Sequence, residues 1–258
     1  MMPMVLFRAS SFGLLMTEPK SKSEVLSVGA KTAIRNMAAQ AILSLDFEVS
    51  DKKLEKGEMV EADSSALFNR VFGRAVAKNT KREKDEYFTG ECDHLDAEEI
   101  VDIKSAWSAA TYPISPEDVP DAQRKLYEFQ GRVYMRLYSR QRFRVAYCLV
   151  DTPTDLIGKF EPLPLHVVSH IPEHLRVTTW AIERDFDIEA VMVEKARHSR
   201  AYYAKVLADF DRTHRLPGAA DAGAITPPWI GSEVPPTTTA PAAPAPKPTT
   251  AAELAPHF

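Results

Sequence analysis

Apolar residues recur along this chain in two rhythms, and the switches between them outline the fold. Leu26, Ala30, Ala33, Ile34, Met37, Ala41 and Leu45 fall at three- and four-residue spacing, which predicts an amphipathic helix over 23–45. Val60, Leu67, Phe68, Val71 and Phe72 repeat the pattern more loosely and predict a second helix over 54–72. The rhythm then changes. Residues 87–95 and 100–105 read as two strands joined by a turn at Asp96-Ala97-Glu98-Glu99. Helical period returns over 123–139, and 142–150 and 176–182 are rich in β-branched and aromatic residues, as strands require. A long helix over 188–210 follows. Helices, hairpin, helix, strands, helix: this order predicts an α/β (α+β) fold in which a central mixed sheet is flanked by helices.

From Leu216 onward Pro, Ala and Thr dominate and no apolar period survives, so 1–215 is expected to be the folded domain and 216–258 a disordered tail. Its closing Pro256-His257-Phe258 has the form of a docking tip or of the end of a spacer. Cys92 and Cys148 are too few for a disulfide scaffold or for four-cysteine iron–sulfur ligation, which fits a reducing cytoplasm. Arg8 and the polar residues after it interrupt the apolar N-terminus before a signal region or membrane span forms, so neither export nor membrane anchoring is expected. The net charge of −4 argues against a protein that coats nucleic acid electrostatically. Locally, however, seven basic residues face the single acid Glu128 between Arg124 and Arg144, enough for a polyanion to bind.

The chemistry concentrates in Tyr87 to Pro113, where Asp93 is followed nine positions later by Asp102-Ile103-Lys104. Strand side chains alternate, so Asp102 and Lys104 share a face while Val101 and Ile103 point to the opposite layer. If the turn closes an antiparallel pair, Asp93 falls opposite Val101 or Asp102, which brings two carboxylates within reach of one ion. Hard oxygen ligands suit Mg²⁺ or Mn²⁺. A lysine beside such an ion orients or deprotonates water and offsets charge developing on a phosphoryl group. The alternative is an acid–lysine pair on a solvated strand face. Apolar Ile100, Val101 and Ile103 favour a buried strand, where an acid and a lysine need a reason. Gly90 marks a place where backbone approaches a substrate. Cys92 and His94 fall on the far face, as a small buried hydrophobe and a structural histidine.

Gly90-Glu91-Cys92-Asp93, Ile100 to Ser105, Lys56-Gly57 followed by Glu61, and Gln130-Gly131-Arg132-Val133-Tyr134 together resemble the PD-(D/E)XK nuclease superfamily. Within it they resemble phage recombination exonucleases of the lambda exonuclease/YqaJ type. The resemblance covers about 8–185 and implies a restriction-endonuclease-like core. It further implies that Asp93 and Asp102 are metal ligands, that the carbonyl of Ile103 adds a third, and that Lys104 is the catalytic lysine. Glu61 matches the upstream acid, which binds a second ion or its water. Cys92 stands where the superfamily's nickname expects proline.

Helical geometry adds that Gln130 and Tyr134 lie one turn apart on the face shared with Leu126, Val133, Leu137 and Tyr138, looking inward. In the resembled nucleases this pair borders the active site; otherwise it is a satisfied core amide beside a packing tyrosine. Arg132, Arg136 and Arg140 form a separate stripe, which is a solvated face, a phosphate contact or a subunit interface. Arg8, Ser10 and Ser11 are residue types that hold a terminal phosphate, a role the resemblance supports; without it the segment is a helix-capping lead-in. The leading expectation is a Mg²⁺-dependent DNA exonuclease that acts on duplex ends in phage or prophage recombination or repair. Its expected partners are DNA, a single-strand annealing protein and further copies of itself. The alternatives are an endonuclease or junction resolvase on the same core, or a non-catalytic DNA- or protein-binding domain.

Overall fold

The computed structural model describes residues 5–47 and 51–214; the expected tail lies outside the described residues. Chain entry is a short strand β1 (Phe7–Arg8), a single turn α1 (Ala9–Phe12) and a 3₁₀ turn. Helix α2 (Val28–Leu43) begins later than its apolar rhythm suggests, because the Ser27 hydroxyl accepts the Ala30 N–H at 3.0 Å and caps it there. Leu26 is buried ahead of the cap, and Leu45 lies beyond the helix and is exposed.

The second predicted helix is two, α3 (Lys52–Met59) and α4 (Glu61–Phe72). The kink is at Val60, with φ −107° and ψ 13°. Hydrogen bonds still run from Val60 N to Lys56 O and from Ser64 N to Val60 O, so the apolar period carries through it. A buried lysine holds this corner: Nζ of Lys56 donates to Ala106 O at 2.6 Å, Trp107 O at 3.0 Å and Val150 O at 3.1 Å. These carbonyls lie just past the ends of two neighbouring strands, to which α3 is thereby tied.

The strand expected over 87–95 divides into β3 (Phe88–Gly90) and β4 (His94–Leu95), which belong to different sheets. Between them the backbone carbonyls find other partners. Glu91 O accepts the Tyr134 hydroxyl at 2.9 Å, Cys92 O the Asn79 amide at 3.0 Å, and Asp93 O the Asn79 N–H at 2.7 Å. A small sheet holds β1, β3 and β2 (Glu83–Lys84), parallel and then antiparallel. The main sheet is mixed, in the order β4, β5 (Glu99–Ser105), β6 (Arg142–Cys148), β7 (Val177–Glu183), with β5 and β6 parallel and the outer pairs antiparallel. A crossover through α5 (Asp121–Leu137) makes the parallel pairing possible. The last helix among the described residues is α6 (Phe186–His214).

Two apolar layers sandwich the main sheet. Leu67 and Phe68 of α4 pack on Val101, Ile103, Ala146 and Cys148. On the other face Val133 and Tyr134 of α5 pack with Ile100, Phe143, Val145 and Tyr147, and α2 and α6 close the core outside them. The close approach of α5 depends on Gly131: a Cβ there would stand 2.1 Å from the Phe143 ring. Among the described residues no helix is long and apolar enough to cross a membrane.

Candidate active site

The β4–β5 register pairs His94 with Val101 and Leu95 with Ile100, so Asp93 comes opposite Asp102, as the turn length predicts. The turn itself is tighter than expected, since β5 already begins at Glu99 and Asp96 N donates to Glu99 O at 2.9 Å. Asp93 is half-buried and its Oδ2 accepts the Ile103 N–H at 3.0 Å. In an extended strand the N–H and C=O of one residue point the same way. The Ile103 carbonyl therefore faces the same side as Asp93.

Asp102 is 1 % exposed. Its Oδ1 accepts the Gln130 amide at 3.1 Å, and its Oδ2 is ion-paired with Nζ of Lys104 at 2.6 Å. Lys104 sits in turn over the ring of Tyr127, 5.2 Å from its centroid. Gln130 and Tyr134 look inward as their spacing predicts. The Gln130 amide also reaches the Tyr134 hydroxyl at 3.4 Å, and that hydroxyl donates to Glu91 O. One helix thus holds both acid-bearing segments.

Burial drives the Asp93 carboxyl up to about 7, the neighbouring Asp102 charge adds to this, and Lys104 and the Ile103 N–H only partly oppose it. For Lys104, burial works against the ammonium, but the Asp102 and Asp93 carboxylates outweigh it and hold the group above the ordinary lysine range. Burial first and Asp102 second keep the Tyr134 phenol protonated. Cys92 is a buried thiol pushed up by burial to about 12, and His94 is buried with Nε2 2.8 Å from Ser65 Oγ. Both match the structural roles expected of them.

Among the described residues no three His, Cys, Asp or Glu side chains converge as a ready-made metal cluster. The strand pair instead offers two carboxylates and a backbone carbonyl. Burial first and the neighbouring Asp102 charge second favour a proton on Asp93, a charge cost that a cation bound between the two acids would offset. Such a set fits a hard divalent ion that keeps several waters and is held by one or two carboxylates, as Mg²⁺ is. It does not fit a soft or fully caged metal.

Other expectations fare differently. Glu61 opens α4 close enough to raise Asp93 further, but it is ion-paired with Lys78 at 2.8 Å. Gly90 makes room for protein, not substrate: a Cβ there would meet the Tyr134 ring at 2.7 Å and Ala9 Cβ at 2.9 Å. This close packing brings α1 beside Tyr134, with Arg8, Ser10 and Ser11 exposed around it. The arginine stripe that begins on α5 is engaged within the domain, with Arg136 and Arg140 only partly buried. Arg132 is buried and bonds Glu128 and Glu183 O, Arg136 pairs with Asp85 at 2.5 Å, and Arg140 donates to Asp96 O at 2.8 Å. Nothing in the sequence pattern marks out Tyr127, although it stands three residues before Gln130. Its hydroxyl is fixed by the Gln123 amide at 2.6 Å and Tyr147 Oη at 3.0 Å.

A phage-related exonuclease from Haemophilus somnus 129PT has a crystal structure that matches this chain with a TM-score of 0.75 at 28% identity, over 80% of this chain and 96% of its own. An alkaline exonuclease from Laribacter hongkongensis matches with a TM-score of 0.54 at 14% identity, over 83% of this chain and 93% of its own, which shows a shared fold. No protein-family model and no curated protein matches the chain. The resemblance to phage exonucleases is thus borne out by the solved structure of a phage-related exonuclease.

Proposed function

We propose that the protein is a metal-dependent deoxyribonuclease that degrades duplex DNA from its ends. The observation that carries this reading is the buried Asp102, ion-paired with Lys104 and facing Asp93 across a hairpin, in a fold shared with a phage-related exonuclease. Asp93, Asp102 and the Ile103 carbonyl would hold Mg²⁺ or Mn²⁺, and Glu61, once released from Lys78, would bind a second ion or its water. The bound ion supplies a Lewis acid that polarises the phosphoryl group and lowers the pKa of water.

The remaining chemistry belongs to the chain. Gln130 fixes the rotamer of Asp102 through Oδ1, so the other oxygen stays turned to Lys104. Lys104 carries its proton at neutral pH and stands where it can offset charge on the phosphoryl oxygens. Tyr134, protonated and bonded to Glu91 O, keeps the segment before Asp93 in place. At the entrance, Arg8, Ser10 and Ser11 would hold a terminal 5′ phosphate. The setting that follows is the cytoplasm of a bacterial host, in recombination or repair, with an annealing protein loading on the exposed strand and the exonuclease acting as a closed homo-oligomer.

End-labelled linear duplex and covalently closed circles, each with Mg²⁺ or with EDTA, provide the test. Linear DNA should shorten from its ends with Mg²⁺ only, and circles should survive. Rapid linearisation of supercoiled plasmid would replace the exonuclease by an endonuclease or resolvase on the same core. Absence of any cutting would leave a binding domain.

A further inference from the structure

Arg132, Arg136 and Arg140 are engaged by Glu128, Asp85 and the Asp96 carbonyl within the domain. Another basic segment lies beside Asp93. We propose that Lys78 and Arg82, on the connection between α4 and β2, are the phosphate contacts that lead a DNA strand to Asp93 and Asp102. This assignment rests on the nuclease reading and names the part of the chain that receives its substrate.

Position is the first argument. Lys78 forms an antiparallel bridge with His94, and the next residue, Asn79, donates its N–H to Asp93 O at 2.7 Å and its amide to Cys92 O at 3.0 Å. The segment is therefore fastened to the very residue proposed to hold the metal. Its backbone thereby has a fixed place beside Asp93.

Charge is the second. Lys78 pairs with Glu61 at 2.8 Å and is held above the ordinary lysine range by that pairing first, with Asp93 and Glu91 contributing. Arg82 lies 3.7 Å from Glu91, two residues before Asp93. Without these two cations the mouth would present Glu61, Glu91 and the half-buried Asp93 to an approaching polyanion. With them, the acids are screened. The Lys78 and Arg82 side chains remain 58 % and 46 % exposed, so their pairs are of the solvated kind that exchanges partners readily. An incoming phosphate competes for cations already standing at the site.

The test is equilibrium binding of a fluorescein-labelled linear duplex, followed by anisotropy over a series of salt concentrations, with Ca²⁺ in place of Mg²⁺ to prevent turnover. Removing one cation that neutralises a phosphate should reduce the slope of log K against log salt by ~0.9. Lys78→Ala and Arg82→Ala should each reduce it by about one, and the double variant by about two. Lys78→Arg with Arg82→Lys should restore the wild-type slope. Lys205→Ala, an exposed lysine on α6, should leave the slope unchanged. A wild-type slope in the double variant, while the wild-type protein still cuts DNA with Mg²⁺, overturns this assignment alone. So does an equal fall with Lys205→Ala. A wild-type protein that neither binds nor cuts DNA overturns the nuclease reading and this assignment together.

Discussion

Replacing Asp93 with asparagine should change how the stability of the metal-free protein depends on pH. The carboxyl titrates at 3.8 ordinarily and at about 7 in the fold, raised by burial and then by Asp102. An acid raised on folding binds more protons in the native state than in the unfolded one. Stability therefore falls as pH rises through that window, and the loss is complete above the folded value. At ~1.4 kcal/mol per unit, the part of the window above about pH 5 corresponds to roughly 2–3 kcal/mol, an upper figure because Asp102 shares the proton. Asparagine removes the titration yet keeps an oxygen to accept the Ile103 N–H. Urea unfolding of both proteins in EDTA, at about pH 5 and about pH 8, reads the effect of this coupled acid pair, since groups remote from it cancel in the difference. Wild type should lose about 2–3 kcal/mol relative to the variant on going to the higher pH. Mg²⁺ should restore the wild type there and leave the variant almost unchanged. Parallel pH profiles in EDTA would refute the reasoning, because Asp93 would then ionise in the fold without penalty.

Three further outcomes are expected. Asp102→Ala and Lys104→Ala should each lower nuclease activity by at least about a hundredfold with circular dichroism unchanged, and near-normal cutting by either would remove these residues from the site. Gly131→Ala should destabilise the domain by about 1–3 kcal/mol in urea, because the added methyl enters the Phe143 ring, and should lower activity as α5 carries Gln130 away from Asp102. Lys56→Met should cost about 2–4 kcal/mol, since three carbonyls would be left without a buried charged donor; an unchanged urea midpoint would show that water replaces it.

The acidic pair was legible from sequence because it depends on two local things, strand alternation and a short turn. So was the inward face of α5, which follows from helical spacing alone. The fates of the arginines were not. Arg136 meets Asp85 and Glu189, and Arg132 meets Glu183 O, partners some fifty residues away that no periodic pattern reveals. Lys56 reads as a surface residue by type, and only the convergence of three chain segments makes it a buried donor. The kink at Val60 escaped because hydrogen bonds and apolar spacing continue across it. The division of the strand over 87–95 escaped because Asn79 and Tyr134, which take its carbonyls, come from outside the hairpin.

The crossover through α5 also sets the order in which the site can form. Asp93 and Asp102 are joined by a tight hairpin and can meet early in folding, as residues of short sequence separation do. Gln130 arrives only when α5 docks, and the parallel partner of β5 only after the chain has passed beyond that helix. A hairpin peptide carrying both acids would thus have the ligands without the amide that aims one of them or the layer that keeps water out. Excising or transplanting the centre requires the chain through at least β6.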